Sequence, residues 1–407
     1  MVDQSVVITG RGLVTPAGIG VTENWTRLCS GESAAVPGPD LGRLGAQLQC
    51  PVPGFDADLL LGRPAARRLD RFSQLAIVAA REAVGDAGLS PDTWDGARVA
   101  VVMGCSVGGI ATVTAQHVRL LDRGPEAVSP LTLPMGLGNM VAGHLAIDLR
   151  ATGPNLTVST ACASGATAIG TARQMLRSGA CDIAVAGGAD ASLDRLILSA
   201  FARMGALTKR TADPATASRP FDRDRDGFVA AEGAGVVVLE REGDARARGA
   251  RVHARLAGYG ASADAHHVTS PHPEGVGALA AMRAALADAD AAGHDVDHVN
   301  AHGTSTKLND LAEGRAIHAL FGEEVSVTST KGVTGHMLAA AGAAEAVYST
   351  LSIEHRMVPP TANLEVLDPE IRVDVVASAP RAQRADMVMS TSFGFGGQNA
   401  ALLVAAP

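Results

Sequence analysis

Short β-branched runs alternate with Ala-rich stretches of helical period along this chain, the pattern of parallel strands joined by helices packed across them. Strands are predicted at VVIT (6–9), RVAVVM (98–103), LTVST (156–160) and DIAVAGG (182–188). Helices are predicted at 72–87, where Phe72, Leu75, Ala76, Ala79 and Ala83 share a face, and at 162–178. The order then begins again. VHARLAGYG (252–260) opens a second series, followed by a helix at 275–292, strands at VDHVNAHG and VSVTST, and an Ala/Gly-rich helix over 336–354. The two series close alike, with DGFVAAEGAGVVVLE (226–240) resembling SFGFGGQNAALLVA (392–405). The expectation is an α/β chain duplicated internally, with halves at 1–250 and 251–407 and insertions in the first near 28–70, 110–150 and 190–225. Corresponding strand ends of two such halves can converge at one cleft lined by helix N-termini, so the chemistry should sit just after strands.

Composition narrows the classes without naming a function. The 407 residues include 46 Gly and only 3% aromatics, which favours close helix-on-sheet packing over a β-sandwich. A net charge of −8, with no Lys/Arg-rich run carrying interleaved aromatics, makes nucleic acid an unsuitable partner. Five cysteines with no C-x-x-C pair read as reduced thiols and not as a disulfide or zinc framework. The N-terminal MVDQSVVITG has neither a basic segment nor a long apolar one, and no stretch of 18 apolar residues follows. These features place the chain in the cytoplasm, away from membranes.

Candidate chemistry sits where the strand pattern puts it. In LTVSTACASGATAIG, Cys162 follows a strand and opens a helix among small neighbours, where the helix N-terminus should lower the thiol pKa and offer backbone donors to an oxyanion. VNAHGTST sets His302 just after a strand, and TSTKGVTGHMLAAAGAAEA sets Lys331 and His336 at a strand-to-helix junction like that of Cys162. A thiol and two histidines at matching topological points form a constellation that none makes alone. A buried Lys331 would need an anionic partner, and Glu345, fourteen residues on, is the nearest in sequence. The other histidines, His253, His294, His298 and His318 among them, read as surface or structural.

Three motifs imitate other sites. Gly104-Cys105-Ser106-Val107-Gly108 satisfies the G-x-S-x-G elbow of hydrolases but lacks ordered acid and histidine partners. Asp222, Asp224, Asp226 and Gly227 begin like a calcium loop, yet position twelve is Gly233. Gly10 and Gly12 suggest a dinucleotide turn, but Thr15 and Pro16 follow where a third glycine and a helix are needed.

Taken together, VVITGRGLVTPAG, RPFDRDRDGFVAAEGAG, DAHHVTSPHPEG, VNAHGTST, STKGVTGHMLAAAGA and SFGFGGQNA resemble the β-ketoacyl-(acyl carrier protein) synthases of the elongating type, within the thiolase-like superfamily. The resemblance spans nearly the whole chain. It implies a duplicated thiolase-like fold of five layers, α-β-α-β-α, that dimerises, and a Cys-His-His site of Cys162, His302 and His336. It further implies backbone oxyanion donors from Cys162 and Phe395, and a swinging gate at Phe395 between Gly394 and Gly396. Thr304, Thr306 and His267 fall at substrate-binding positions, with the two threonines bonding the pantetheine amides, and Val107 at a position lining the acyl tunnel. Arg67, Arg68 and Arg210 fall where relatives meet an acidic acyl carrier protein. No metal or other cofactor is implied, because substrates arrive on the carrier's phosphopantetheine arm.

Departures from common forms also matter. Lys307, Gly332, Gln398 and the pair His266-His267 differ from fatty-acid enzymes and raise a discrete type II polyketide or polyene ketosynthase, as a homodimer or with a chain-length-factor-like partner. Fatty-acid elongation by the same chemistry is the alternative. A degradative thiolase would need a second cysteine near the C-terminal glycines, and none lies beyond Cys181; an initiating synthase would pair His with Asn. A non-catalytic chain-length partner would lack the nucleophile that Cys162 supplies.

Overall fold

The computed structural model describes residues 5–407, so Met1–Gln4, with which the first predicted half begins, lie outside the described residues. Ten strands frame the molecule: β1 (Val6–Thr15), β2 (Val99–Gly104), β3 (Asn155–Val158), β4 (Ile183–Ala191), β5 (Ala230–Arg241), β6 (Ala254–Ala263), β7 (His298–Asn300), β8 (Ser326–Thr328), β9 (Met387–Gly394) and β10 (Gln398–Ala405). Eight of the helices matter to the site and its surroundings: α1 (Arg71–Asp86), α2 (Ile110–Arg123), α3 (Met140–Asp148), α4 (Ser164–Arg177), α5 (Arg195–Met204), α6 (Val276–Asp288), α7 (Lys307–Phe321) and α8 (Ala339–His355).

Strand order runs β3-β2-β4-β5-β1 and then, across an antiparallel β1–β6 contact, β6-β10-β9-β7-β8. Numbered within each series, both read 3-2-4-5-1, and the senses agree too. β2 is parallel to β3 and β4, and β7 is parallel to β8 and β9. The remaining pairs, β4–β5, β5–β1, β9–β10 and β10–β6, are antiparallel. The uniformly parallel sheets expected from the alternating pattern are therefore mixed. Only three residues, Phe395–Gly397, join β9 to β10, and a crossover to a parallel neighbour needs a dozen or more.

Three apolar cores separate five layers. One gathers around α4 and α8 between the sheets, one lies under α1 and α3, and one under α6 and α7. Every residue of α8 from Ala339 to Ile353 is buried, which its Ala/Gly content permits. Small residues also let helices seat directly on strands. A Cβ on Gly10 or Gly12 would fall about 2 Å from the carbonyl oxygens of Ala83 or Ala79 in α1, and one on Gly258 or Gly260 would meet those of Ala285 or Ala281 in α6. Gly10 and Gly12 thus serve helix packing, consistent with the failed dinucleotide pattern. His253 and His298 are interior residues; His298 Nδ1 lies 2.8 Å from Ser326 Oγ.

Candidate active site

The cleft forms where β3, β7, β8 and β9 end. After β3 the chain makes a single 3-10 turn, Ala161–Ala163, before α4, with Ala161 at a φ of 49°. That turn sets Cys162 at the cavity wall. His302 follows β7 by two residues. After β8, Lys331–Thr334 forms one helical turn and the backbone then reverses at Leu338, φ 49°, so α8 starts at Ala339 and not at His336 as the sequence pattern predicts. His336 sits in the interruption, held by His336 N–H donating to Val229 O (2.8 Å) and Ala231 N–H donating to His336 O (3.0 Å).

Cys162, His302 and His336 line one cavity of about 390 Å³, with Thr304, Thr306, Phe393, Gly394 and Phe395. The imidazole centroids of His302 and His336 are 5.3 Å apart at 83°, and each packs edgewise against a phenylalanine, Phe393 and Phe228 respectively. The Nδ1 atom of each ring is buried with no hydrogen-bond partner among the described residues. Lys331 Nζ and Glu345 Oε1 form a close ion pair, both side chains 1% exposed, as the sequence spacing suggested. Burial, then the Lys331 charge, pushes His302 and His336 well below the usual histidine range, so both rings are neutral near pH 7. Burial also pushes the Cys162 thiol up to about 12, against the opposing pull of Lys331. The helix start therefore does not lower the thiol in the free protein, contrary to the sequence expectation, because desolvation outweighs it.

Sequence reasoning overlooked Glu313 on α7. Glu313 Oε1 accepts from His302 N–H (2.8 Å) and Thr391 Oγ1–H (2.7 Å), and Oε2 accepts from Gly303 N–H (2.7 Å). Burial raises its carboxyl to about 7. The signal was Asp310 and Glu313 three apart, but α7 has so little apolar periodicity that no helix was predicted there. Asp190, at the end of β4, was also overlooked.

The remaining expected residues divide. Thr304 and Thr306 line the cavity side by side, their hydroxyls hydrogen-bonded at 2.9 Å. Gly394 lies so close to the nucleophile turn that a Cβ there would be 2.4 Å from Thr160 O and 3.2 Å from Cys162 N; Gly396 has φ 80°, in the region that favours glycine. His267 is exposed and off the cavity wall: its Nδ1 accepts from the N–H groups of Thr269 and Ser270, which do line the mouth. Val107 is half-buried and likewise off the wall. Arg67 and Arg68 are exposed after a short helix, whereas Arg210 Nη2 donates to Asp224 O. The hydrolase-like Ser106 donates its hydroxyl to Asp190. Of the calcium-like acids, Asp222 pairs with Arg219 and Asp226 accepts from Thr208 and Lys209, so both are already engaged.

A thiol and two neutral imidazoles at the strand ends of paired 3-2-4-5-1 sheets define a condensing enzyme of the thiolase-like class. The chain belongs to the β-ketoacyl synthases, which are decarboxylating acyltransferases. The N-terminal domain model of that family matches residues 3–245 and the C-terminal one residues 253–365. It is 40% identical to the 3-oxoacyl-(acyl-carrier-protein) synthase 2 of Vibrio cholerae serotype O1, over 99% of each chain. Its counterpart from Synechocystis sp. is 41% identical, covering 98% of this chain and 97% of that one. Among solved structures, the ishigamide ketosynthase/chain length factor matches with a TM-score of 0.92 at 36% identity, over 99% of both chains. The type II polyketide assembly AntDE:AntF, an acyl-carrier protein in complex with its ketosynthase bound to the hexaketide, matches with a TM-score of 0.91 at 31% identity, again over 99% of both chains. Among the described residues no helix is long and apolar enough to cross a membrane.

Proposed function

We propose that this chain is a chain-elongating 3-oxoacyl-(acyl carrier protein) synthase in which Cys162 carries the growing acyl group and His302 and His336 serve the condensation. The observation that carries the reading is the meeting of these three side chains in one buried cavity in front of the Lys331–Glu345 pair. Cys162 gives up its proton and, as thiolate, attacks the thioester carbonyl of an acyl carrier protein; the pantetheine sulfur leaves and takes up that proton. The N–H groups of Cys162 and Phe395 would hold the oxyanion. A malonyl carrier protein then binds, loses carbon dioxide, and its enolate attacks the acyl-Cys162 carbonyl; the 3-oxoacyl chain leaves on the carrier and the thiolate returns. Neutral His302 and His336 donate N–H to the thioester oxygen as the enolate charge builds, inside a site that excludes water. Thr304 and Thr306 bind the pantetheine amides at the mouth, and Arg67, Arg68 and Arg210 meet the acidic carrier. The division into halves at residues 250/251 belongs to the same reading and is supported by the repeated strand order.

The relatives weigh on the pathway. Lys307, Gly332 and Gln398 pointed towards a polyketide system, but curated relatives at 40–41% identity bear the name 3-oxoacyl-(acyl-carrier-protein) synthase 2 and favour fatty-acid elongation. The polyketide reading stays second, supported by the ketosynthase neighbours at 36% and 31% identity. A second subunit is part of either. Helix α2 buries no residue within this chain, and Val113, Val118, Leu121, Leu133, Ile147 and Leu156 stand exposed on α2, the segment after it, α3 and the edge strand β3. A second copy, or a homologue of the same fold, pairing along β3 would cover that face. Incubation with acyl and malonyl carrier proteins should yield the 3-oxoacyl carrier two carbons longer; carbon dioxide release without chain extension, or neither, contradicts the reading. The preferred acyl group separates the pathways: saturated chains for the first, polyketide or polyene intermediates for the second.

A further inference from the structure

Asp190 is fully buried near the end of β4, and no cation is among the charges that act on it. Hydrogen bonds from two other chain segments satisfy it instead. Its Oδ1 accepts from Ser106 N–H (3.2 Å) and Val107 N–H (3.2 Å) and lies 3.6 Å from Cys105 Sγ. Its Oδ2 accepts from the Ser106 hydroxyl and from Ala339 N–H (2.9 Å), the first residue of α8. A buried carboxylate is costly, and here every lone pair is spent on joining the turn after β2 to the start of α8.

The residue it grips is packed against the segment that carries Cys162 and lies just after His336. Ala339 lies three residues after His336, and its carbonyl oxygen is pressed by Gly165, three residues after Cys162, and by Gly188 on the same strand as Asp190: Cβ atoms on those glycines would come within 2.5 and 2.3 Å of it. Between His336 and Ala339 the chain holds Leu338 at φ 49°, a conformation a branched residue adopts only under constraint, and Leu338 lines the cavity. One residue thus has its N–H fixed by Asp190 and its C=O packed against the first turn of α4, directly after the turn that carries Cys162.

We propose that Asp190 is a positioning residue: it clamps the Leu338–Ala339 peptide to the Ser106–Val107 turn and thereby fixes His336 relative to Cys162 for the condensation step. The proposal rests on the roles given above to Cys162 and His336. Acylation needs the thiol, the oxyanion donors and the substrate, whereas condensation needs His336 within reach of a second thioester. Loss of the clamp therefore acts on the second step. Its charge adds a separate signature, because Asp190 opposes the Cys162 thiolate together with Glu345, while Lys331 favours it.

The test uses the full-length wild type with Asp190→Asn and Ser106→Ala, and reads three quantities: acyl mass on Cys162 from acyl carrier protein, 3-oxoacyl product after adding malonyl carrier protein, and the pH profile of Cys162 alkylation by iodoacetamide. Asp190→Asn should acylate at near the wild-type rate, lose condensation by about tenfold to a hundredfold, and shift its alkylation profile to lower pH. Ser106→Ala keeps the charge, so its profile should stay put while condensation falls severalfold. Equal rates in both steps, or equal losses in both, overturn the positioning role. Should Asp190→Asn fail to fold, Ser106→Ala decides, and unchanged condensation overturns the proposal. A wild type that is never acylated at Cys162 sinks the functional reading instead, before Asp190 is tested.

Discussion

Around Cys162, burial disfavours the thiolate most, Asp190 and Glu345 add to that, and the opposing pull of Lys331 is too weak to offset it, leaving a thiol pushed up to about 12. The free enzyme should therefore be a poor general nucleophile, guarded against adventitious electrophiles until a substrate occupies the cavity. Iodoacetamide alkylation of Cys162 should be slow at neutral pH and still rising at about pH 10; a plateau near neutrality contradicts that view. The histidines stand on the other side of the ledger, because burial and Lys331 hold both neutral. His302→Ala and His336→Ala should each cost on the order of 2–4 kcal/mol of transition-state stabilisation in condensation while retaining much of the acylation. Normal product formation by either variant removes that residue from the chemistry. The placing of Cys162 and His302 just after strands was legible in the sequence, and the Lys331–Glu345 pair was legible from spacing. Glu313 and Asp190 were not, since most of their partners are backbone N–H groups, which no side-chain motif records.

At the scale of elements, strands β1–β4 and β6–β8 and the helices at α1, α4, α6 and α8 followed from hydrophobic period and Ala content, whereas β5, β9 and β10 showed only as similar closing segments. Helix α7 did not, because KLNDLAEGRAIHALF places acids and Gly314 where an apolar stripe would be read. The antiparallel pairs escaped for a different reason: β-branched runs encode strands but not their direction, which the short Phe395–Gly397 link decides. That link also refines the gate. Gly394 is required by its approach to Cys162, and Gly396 and Gly397 by left-handed φ values of 80° and 70°. Gly396 N–H donates to Val268 O (2.8 Å) and Asp264 N–H donates to Gly397 O (2.8 Å), so the Phe395 turn is tied to the 264–271 segment at the cavity mouth, and the two would move together. Gly394→Val should push the turn away from Cys162 and cut turnover without lowering the thermal midpoint by more than a few degrees. Full activity in a folded Gly394→Val protein contradicts the close-contact requirement, and an unchanged Phe395 rotamer in free and acylated crystals contradicts the gate.

For the whole molecule, two repeats of one strand order bring Cys162 from the first series and both histidines from the second to a shared cavity, so neither series holds the site alone. The carrier must reach that cavity from outside. Reversing Arg67, Arg68 and Arg210 to Glu should raise the KM for acyl carrier protein several-fold, with severalfold marking about 1 kcal/mol, and leave small acyl thioesters nearly unaffected. Equal losses with both substrates point to folding. The central claim is that the acyl chain rides on Cys162, and intact-protein mass spectrometry with peptide mapping after mixing with acyl carrier protein tests it most directly. One acyl group on the peptide containing Cys162, absent in Cys162→Ala, is the predicted result; acylation at Cys105 or Ser106, or an acylated Cys162→Ala protein, would contradict it.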